Sequence, residues 1–127
     1  MDGTRLTIIE SDELLEIMKS DRTSVTIVDV RDEDFYGGNI VGAINVPSES
    51  WRDEAVVNEL ISKCSSSKKV VFHCMKSQQR GPACASIFVE ALRKSESVER
   101  PEVRVLRGGY SAWSFKYSGD SSAIENA

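Results

Sequence analysis

The run Val25-Thr26-Ile27-Val28-Asp29-Val30 constrains the fold more than any other stretch of the chain. Its β-branched residues follow one another with almost no polar alternation. A strand with one wet face would alternate, so a run of this kind is buried on both faces, as in a parallel sheet covered by helices. The centre of Lys68-Lys69-Val70-Val71-Phe72-His73 reads the same way. Helical spacing separates these runs. Leu14, Leu15, Ile17 and Met18 give an apolar face to a helix with Ser11 as N-cap and Asp12 and Glu13 in its first turn. Val56, Val57, Leu60 and Ile61 predict a helix over residues 50–64 with Ser50 as cap. Pro82 suits the first turn of a third helix, continued by Ile87, Phe88, Ala91 and Leu92. Residues 6–9, 40–46 and 103–106 complete the strands, and residues 110–117 form a short last helix. Residues 94–101 read as a surface loop, and residues 118–127, small and polar, as a tail that frays. The alternation predicts an α/β fold with a central, mostly parallel sheet of about five strands flanked by helices.

Composition narrows the class. The 127 residues suit one domain, with a core over about residues 5–117. Lys and Arg total 16 against 20 Asp and Glu, so the net charge is −4 and neither a nucleic-acid partner nor a polybasic membrane anchor is expected. One His excludes a multi-His metal site, and three Cys, an odd number, argue against a disulfide framework. The start, Met1-Asp2-Gly3-Thr4-Arg5, is too polar for a secretory signal, and no long apolar run suggests a membrane span. The expectation is a monomer with reduced thiols, in the cytoplasm or also the nucleus.

The chemistry concentrates in His73-Cys74-Met75-Lys76-Ser77-Gln78-Gln79-Arg80-Gly81-Pro82. The segment joins a buried strand to a helix, at the strand's carboxyl end, where α/β sheets bind ligands. Five residues separate Cys74 from Arg80. A loop of that length curls its N–H groups inward, and such a nest at a helix N-terminus binds oxyanions. Met75, Lys76, Ser77, Gln78, Gln79 and Arg80 would line it, and the planar fork of Arg80 matches two oxygens. Cys74 then lies at the floor of an electropositive cup, a setting that favours a thiolate nucleophile. His73, Ser77 and Asp29 are candidate supports; the His73 backbone lies in the strand, so its side chain is expected to point away from the cup. Asp29 and Arg31 read as structural and pairing within the fold. Asp32, Glu33 and Asp34 read as a solvated acidic turn before they read as proton donors. Cys64 and Cys84 read as packing residues.

Three further signatures accompany this loop: Val28-Asp29-Val30-Arg31, then Asp32-Glu33-Asp34-Phe35; Gly38-Asn39-Ile40-Val41-Gly42-Ala43-Ile44-Asn45-Val46-Pro47; and Leu106-Arg107-Gly108-Gly109-Tyr110-Ser111-Ala112-Trp113. With them, residues 25–117 resemble a rhodanese-superfamily domain. The loop resembles that of the M-phase inducer dual-specificity phosphatases and the related small eukaryotic arsenate reductases; sulfurtransferase rhodaneses have a loop one residue shorter. The resemblance implies a metal-free, cofactor-free phosphatase working through a cysteinyl-phosphate, with a phosphoprotein as substrate. Its alternative is arsenate reduction, with a small oxyanion substrate, glutathione as co-substrate and glutaredoxin as partner. Sulfur transfer and a non-catalytic binding module rank below both. Two departures have consequences. Gln79 stands where the M-phase inducers carry an acid, and Val30 stands where they carry a back-door Cys, so the resemblance implies neither that donor nor that disulfide.

Overall fold

A computed structural model describes residues 6–95 and 100–127. Its centre is a five-stranded sheet in the order β1–β6–β5–β2–β4, built from β1 (Leu6–Ile9), β2 (Val25–Asp29), β4 (Ile44–Asn45), β5 (Lys69–His73) and β6 (Glu102–Leu106). Every pairing within it is parallel. Helices α1 (Ser11–Ser20), α2 (Glu54–Lys63), α3 (Arg80–Lys94) and α4 (Gly109–Lys116) supply the crossovers and cover both faces. Two short strands, β3 (Asn39–Ile40) and β7 (Ile124–Glu125), pair antiparallel as a separate ribbon.

The two-sided burial expected of the β2 and β5 runs is present. On one face Val28, Val70, Phe72, Val103 and Val105 pack against Trp51, Leu60, Phe88 and Leu92 from the α2 and α3 side. The rings of Trp51, Phe72 and Phe88 meet there with centroids 5.3–6.5 Å apart. On the other face Ile27, Val71 and Leu106 meet Leu14, Met18 and Trp113 of α1 and α4. Each helix thus buries one apolar stripe and leaves its polar face in water.

Four element boundaries differ from the sequence reading. Residues 40–46 do not form one strand: a turn at Val41 and Gly42 divides them, with β3 pairing β7 and β4 pairing β2. Arg22 holds that turn by donating to the carbonyls of Val25 (2.8 Å) and Val41 (3.2 Å). Residues 50–64 are two pieces, a 3-10 turn over Ser48–Arg52 and then α2. Asp53, not Ser50, caps α2, accepting from Ala55 N–H at 2.9 Å; Ser50 instead bonds back to the Pro47 carbonyl. Ser11 is the first residue of α1, and the capping position falls on Glu10, whose carbonyl accepts Leu14 N–H while its carboxylate goes to Arg107. Helix α3 starts at Arg80, two residues before Pro82.

The tail is a larger correction. Residues 118–127, expected to fray, fold back over α4 and β3. Ala123 is fully buried, and its carbonyl accepts both the Trp113 indole N–H and Val41 N–H at 3.1 Å. Glu125 accepts from Asn39 Nδ2 and Gly42 N–H, and Asn126 donates to Asn39. Of the expected loop at residues 94–101, Lys94 ends α3, and residues 96–99, like residues 1–5, lie outside the described residues. No helix of the described residues is long and apolar enough to cross a membrane.

Candidate active site

Strand β5 lies in the middle of the sheet and delivers Cys74 to its carboxyl edge. The loop that follows is held from three sides. Gly81, at the start of α3, packs against the strand end, where a Cβ would meet the Cys74 N and His73 Cα atoms at 3.4 Å. The first amides of α4 tie down the start of the loop: Tyr110 N–H donates to the Cys74 carbonyl (2.9 Å) and Ser111 N–H to the Met75 carbonyl (2.7 Å). This approach explains Gly109. At its φ of +59°, a Cβ would stand 2.6 Å from both of those carbonyl oxygens.

Within the loop, Ser77 adopts a left-handed conformation, φ 56°, without being a glycine. The turn aims its N–H at Cys74 Sγ, 3.1 Å away, which supports sulfur as a hydrogen-bond acceptor. Its hydroxyl oxygen is shielded and has no partner among the described residues. Among the described residues, the N–H groups of Met75, Lys76, Gln78 and Gln79 likewise have no protein acceptor, which leaves four donors for an incoming anion. Cys74 is only 4 % exposed, at the base of an open cavity of about 420 Å³ lined by Asp34, Cys74, Met75, Lys76, Gln78, Gln79 and Arg80. The structure thus brings together the whole set expected to bind an oxyanion, with Ser77 directed at the sulfur.

Arg80 stands at the rim, and here sequence reasoning missed a contact. The turn after β2 is not simply solvated. Asp34, in the 3-10 turn Glu33–Phe35, grips Arg80 with both carboxylate oxygens at 2.7 and 2.9 Å, and Asp32 adds a contact at 3.3 Å. The Arg80 hydrogen bond holds the Asp34 carboxyl below the usual carboxylate range. Partial burial pushes Asp32 the other way, but hydrogen bonds from Ser48, Glu49 N–H and Arg80 outweigh it and hold that carboxyl low as well. Asp34 in turn keeps Arg80 firmly charged. Glu33, the third acid of the turn, is exposed. The spacing from Asp32 and Asp34 to Arg80, some 46–48 residues, gave no local signal of the pairing.

Below the loop is a buried polar layer. Asp29 and Arg31, both essentially inaccessible, form a two-oxygen ion pair closing to 2.7 Å, and the Arg31 guanidinium lies 4.2 Å from the centre of the Tyr110 ring. His73 is fully buried and points into this layer, away from the cup. Its Nδ1 is 3.1 Å from the Cys74 carbonyl, so Nδ1 carries the proton, and Nε2 faces Asp29 at 3.7 Å. Burial lowers its pKa against the pull of Asp29, and the ring is neutral at neutral pH. Asp29 and His73 therefore support the loop from beneath and do not line the cavity. All three thiols are free. Burial pushes Cys64 up to about 11 and Cys84 up to about 12, so both are inert packing groups at neutral pH. A larger, mainly apolar groove of about 530 Å³ between α2 and α3 is lined by no cysteine. The described residues contain no cluster of His, Cys, Asp or Glu suited to a metal.

An arrangement with one sulfur at the floor, free amides around it and a fixed guanidinium at the rim can bind a tetrahedral oxyanion and attack its central atom. The chain as a whole is similar to known proteins. Residues 10–116 match the family described as "Rhodanese-like domain". The chain is 31% identical over 135 residues to the dual specificity phosphatase ibp1 of Schizosaccharomyces pombe, covering 94% of this chain and 96% of that one. It is 32% identical over 114 residues to arsenical-resistance protein 2 of Saccharomyces cerevisiae, covering 85% and 88%. The crystal structure of Saccharomyces cerevisiae Ygr203w, described as a homolog of single-domain rhodanese and the Cdc25 phosphatase catalytic domain, superposes with a TM-score of 0.87 at 30% identity, covering 99% of this chain and 93% of that one.

Proposed function

The chain belongs to the rhodanese-like domain family, and from that premise we propose that it is a cysteine-dependent phosphatase of phosphotyrosine or dual specificity, with Cys74 as nucleophile and Arg80 as oxyanion ligand. The carrying observation is the cup itself: Cys74 Sγ at its base, hydrogen-bonded by Ser77 N–H, with four unpaired loop amides and Arg80 around it. The Cys74 thiolate attacks phosphorus, forming an S–P bond as the bond to the leaving oxygen breaks. The leaving oxygen takes its proton from water in the open cup. Water then attacks phosphorus and the S–P bond breaks, which releases inorganic phosphate and restores the thiolate. Amides and guanidinium fixed around the equatorial oxygens stabilise the charge that gathers there, and that preorganisation supplies the largest share of the rate gain.

The likeness to arsenical-resistance protein 2 favours a second reading at the same cup. Arsenate has the shape and charge of phosphate. Cys74 would displace water from it to form an S–As bond, and glutathione, with glutaredoxin as partner, would supply the two electrons that release arsenite.

The test is hydrolysis of p-nitrophenyl phosphate in the presence of a chelator. Wild type turns over and Cys74→Ser loses at least about a thousandfold, the usual scale for a lost nucleophile. Equal rates for the two would remove Cys74 from the mechanism. Glutathione-coupled arsenate reduction without phosphate release would select the second reading.

A further inference from the structure

A planar guanidinium can grip two oxygens along either of two edges: the end edge, made by its two Nη atoms, or the side edge, made by Nε and one Nη. In Arg80 the end edge is occupied. Asp34 Oδ1 lies 2.9 Å from Nη1 and Oδ2 lies 2.7 Å from Nη2, and Asp32 reaches Nη1 at 3.3 Å. Among the described residues Nε has no protein partner. The two carboxylates are themselves fixed. Asp34 Oδ1 accepts Asp32 N–H at 3.0 Å, and the Asp34 carbonyl accepts from buried Arg31 at 3.1 Å. Asp32 is braced by the Ser48 hydroxyl at 2.6 Å and Glu49 N–H at 3.3 Å. A continuous set of contacts thus runs from the Asp29–Arg31 pair, through the turn after β2, to the rim of the cup.

We propose that Asp34 is a positioning residue that holds Arg80 by its end edge and leaves the side edge to grip the oxyanion. A long side chain at a half-exposed rim would otherwise sample many rotamers, and ordering it would fall on each binding event. With Asp34 in place the guanidinium plane is set before the anion arrives, and Asp32 secures the turn that carries Asp34. The acid acts through Arg80 and does not touch the reacting atoms. The inference rests on the cup as an oxyanion site, not on turnover. The opposite arrangement is also well defined: a carboxylate that competed with the anion for Arg80 would weaken binding, and its removal would tighten it.

The experiment measures how much inorganic phosphate protects Cys74 from alkylation by iodoacetamide. Wild type is protected. Asp34→Asn is isosteric and keeps the acceptor for Asp32 N–H, yet it raises the half-protecting concentration by about 10- to 100-fold, the scale of a misplaced binding group. In an Arg80→Met background, adding Asp34→Asn changes nothing further, whereas a merely structural role would persist there. Asp34→Glu keeps the charge on a longer arm and loses less; if Asp34→Asn does not fold, that variant carries the test, and unchanged protection in it contradicts the proposal. Protection of Asp34→Asn at equal or lower phosphate, a further loss in the Arg80→Met background, or no protection of wild type would each overturn it. Turnover of p-nitrophenyl phosphate is read separately: protection without turnover removes the phosphatase reading and leaves this one standing.

Discussion

His73 shows how a residue can serve a site without entering it. Its ring fills a fully buried position, its Nδ1–H meets the Cys74 carbonyl, and Tyr110 N–H donates to the same oxygen. The carbonyl so fixed sets the backbone from which Cys74 projects. Burial has a consequence for pH. The folded pKa of His73 lies below its unfolded value, so between the two the unfolded chain binds a proton that the folded chain does not. Stability is therefore full above about pH 6.5 and falls as pH drops below it, with a slope of up to about 1.4 kcal/mol per pH unit from this one group. Urea midpoints at pH 7.5 and 5.5 measure it; the difference should shrink in His73→Gln, and an undiminished difference would assign the acid sensitivity elsewhere. Residue by residue, Cys74, Arg80 and the inward-turned His73 were legible because strand, loop and helix fix their spacing. Asp32 and Asp34 were not: their partner lies across three further strands and a helix, and a run of three acids has the composition of a solvated turn. Ser77 was legible as a loop residue but not as the left-handed one, since nothing in a serine announces positive φ.

At the scale of elements, the loop is only as rigid as what clamps it. Helix α4 does so with the Tyr110 and Ser111 amides, and Gly109, the second residue of a pair readable in sequence as a turn, is needed for the close approach to the loop carbonyls. Helix α4 is in turn sealed by the tail. Ending the chain after Tyr117 would remove the Ala123 carbonyl that receives both the buried Trp113 indole N–H and Val41 N–H, and, among the described residues, the only strand partner of β3. One buried donor left unmatched costs about 1–3 kcal/mol. The truncated protein should therefore unfold with at least about 2 kcal/mol less stability in urea; an unchanged midpoint would mean that the tail contributes nothing. The tail escaped the sequence reading because Ala123 and Ile124 are too few to establish a period, and because β3 and β7 are each two residues long and obtain their order from each other. The strands β2 and β5 were legible for the opposite reason, since each carries its own burial pattern.

For the molecule as a whole, function follows from which ends of the strands coincide. With every pairing of the main sheet parallel, the segments after β2, β5 and β6 emerge on one edge. Those segments supply Asp32 and Asp34, the Cys74 loop with Arg80, and the α4 amides, so three stretches remote in sequence converge without any long excursion of the chain. The alternation of runs and helical periods was enough to foresee this edge and the loop upon it. It could not reveal how the three stretches interlock, because that depends on side-chain contacts between segments with no common pattern. In the proposed reaction Cys74 Sγ carries the phosphoryl group, and acid quenching during turnover of p-nitrophenyl phosphate, followed by mass spectrometry of the Cys74 peptide, tests this most directly. A phosphoryl adduct on Cys74 that appears within the first turnover, and is absent in Cys74→Ser, is the predicted result; turnover without any adduct on Cys74, or an adduct on another residue, would contradict it.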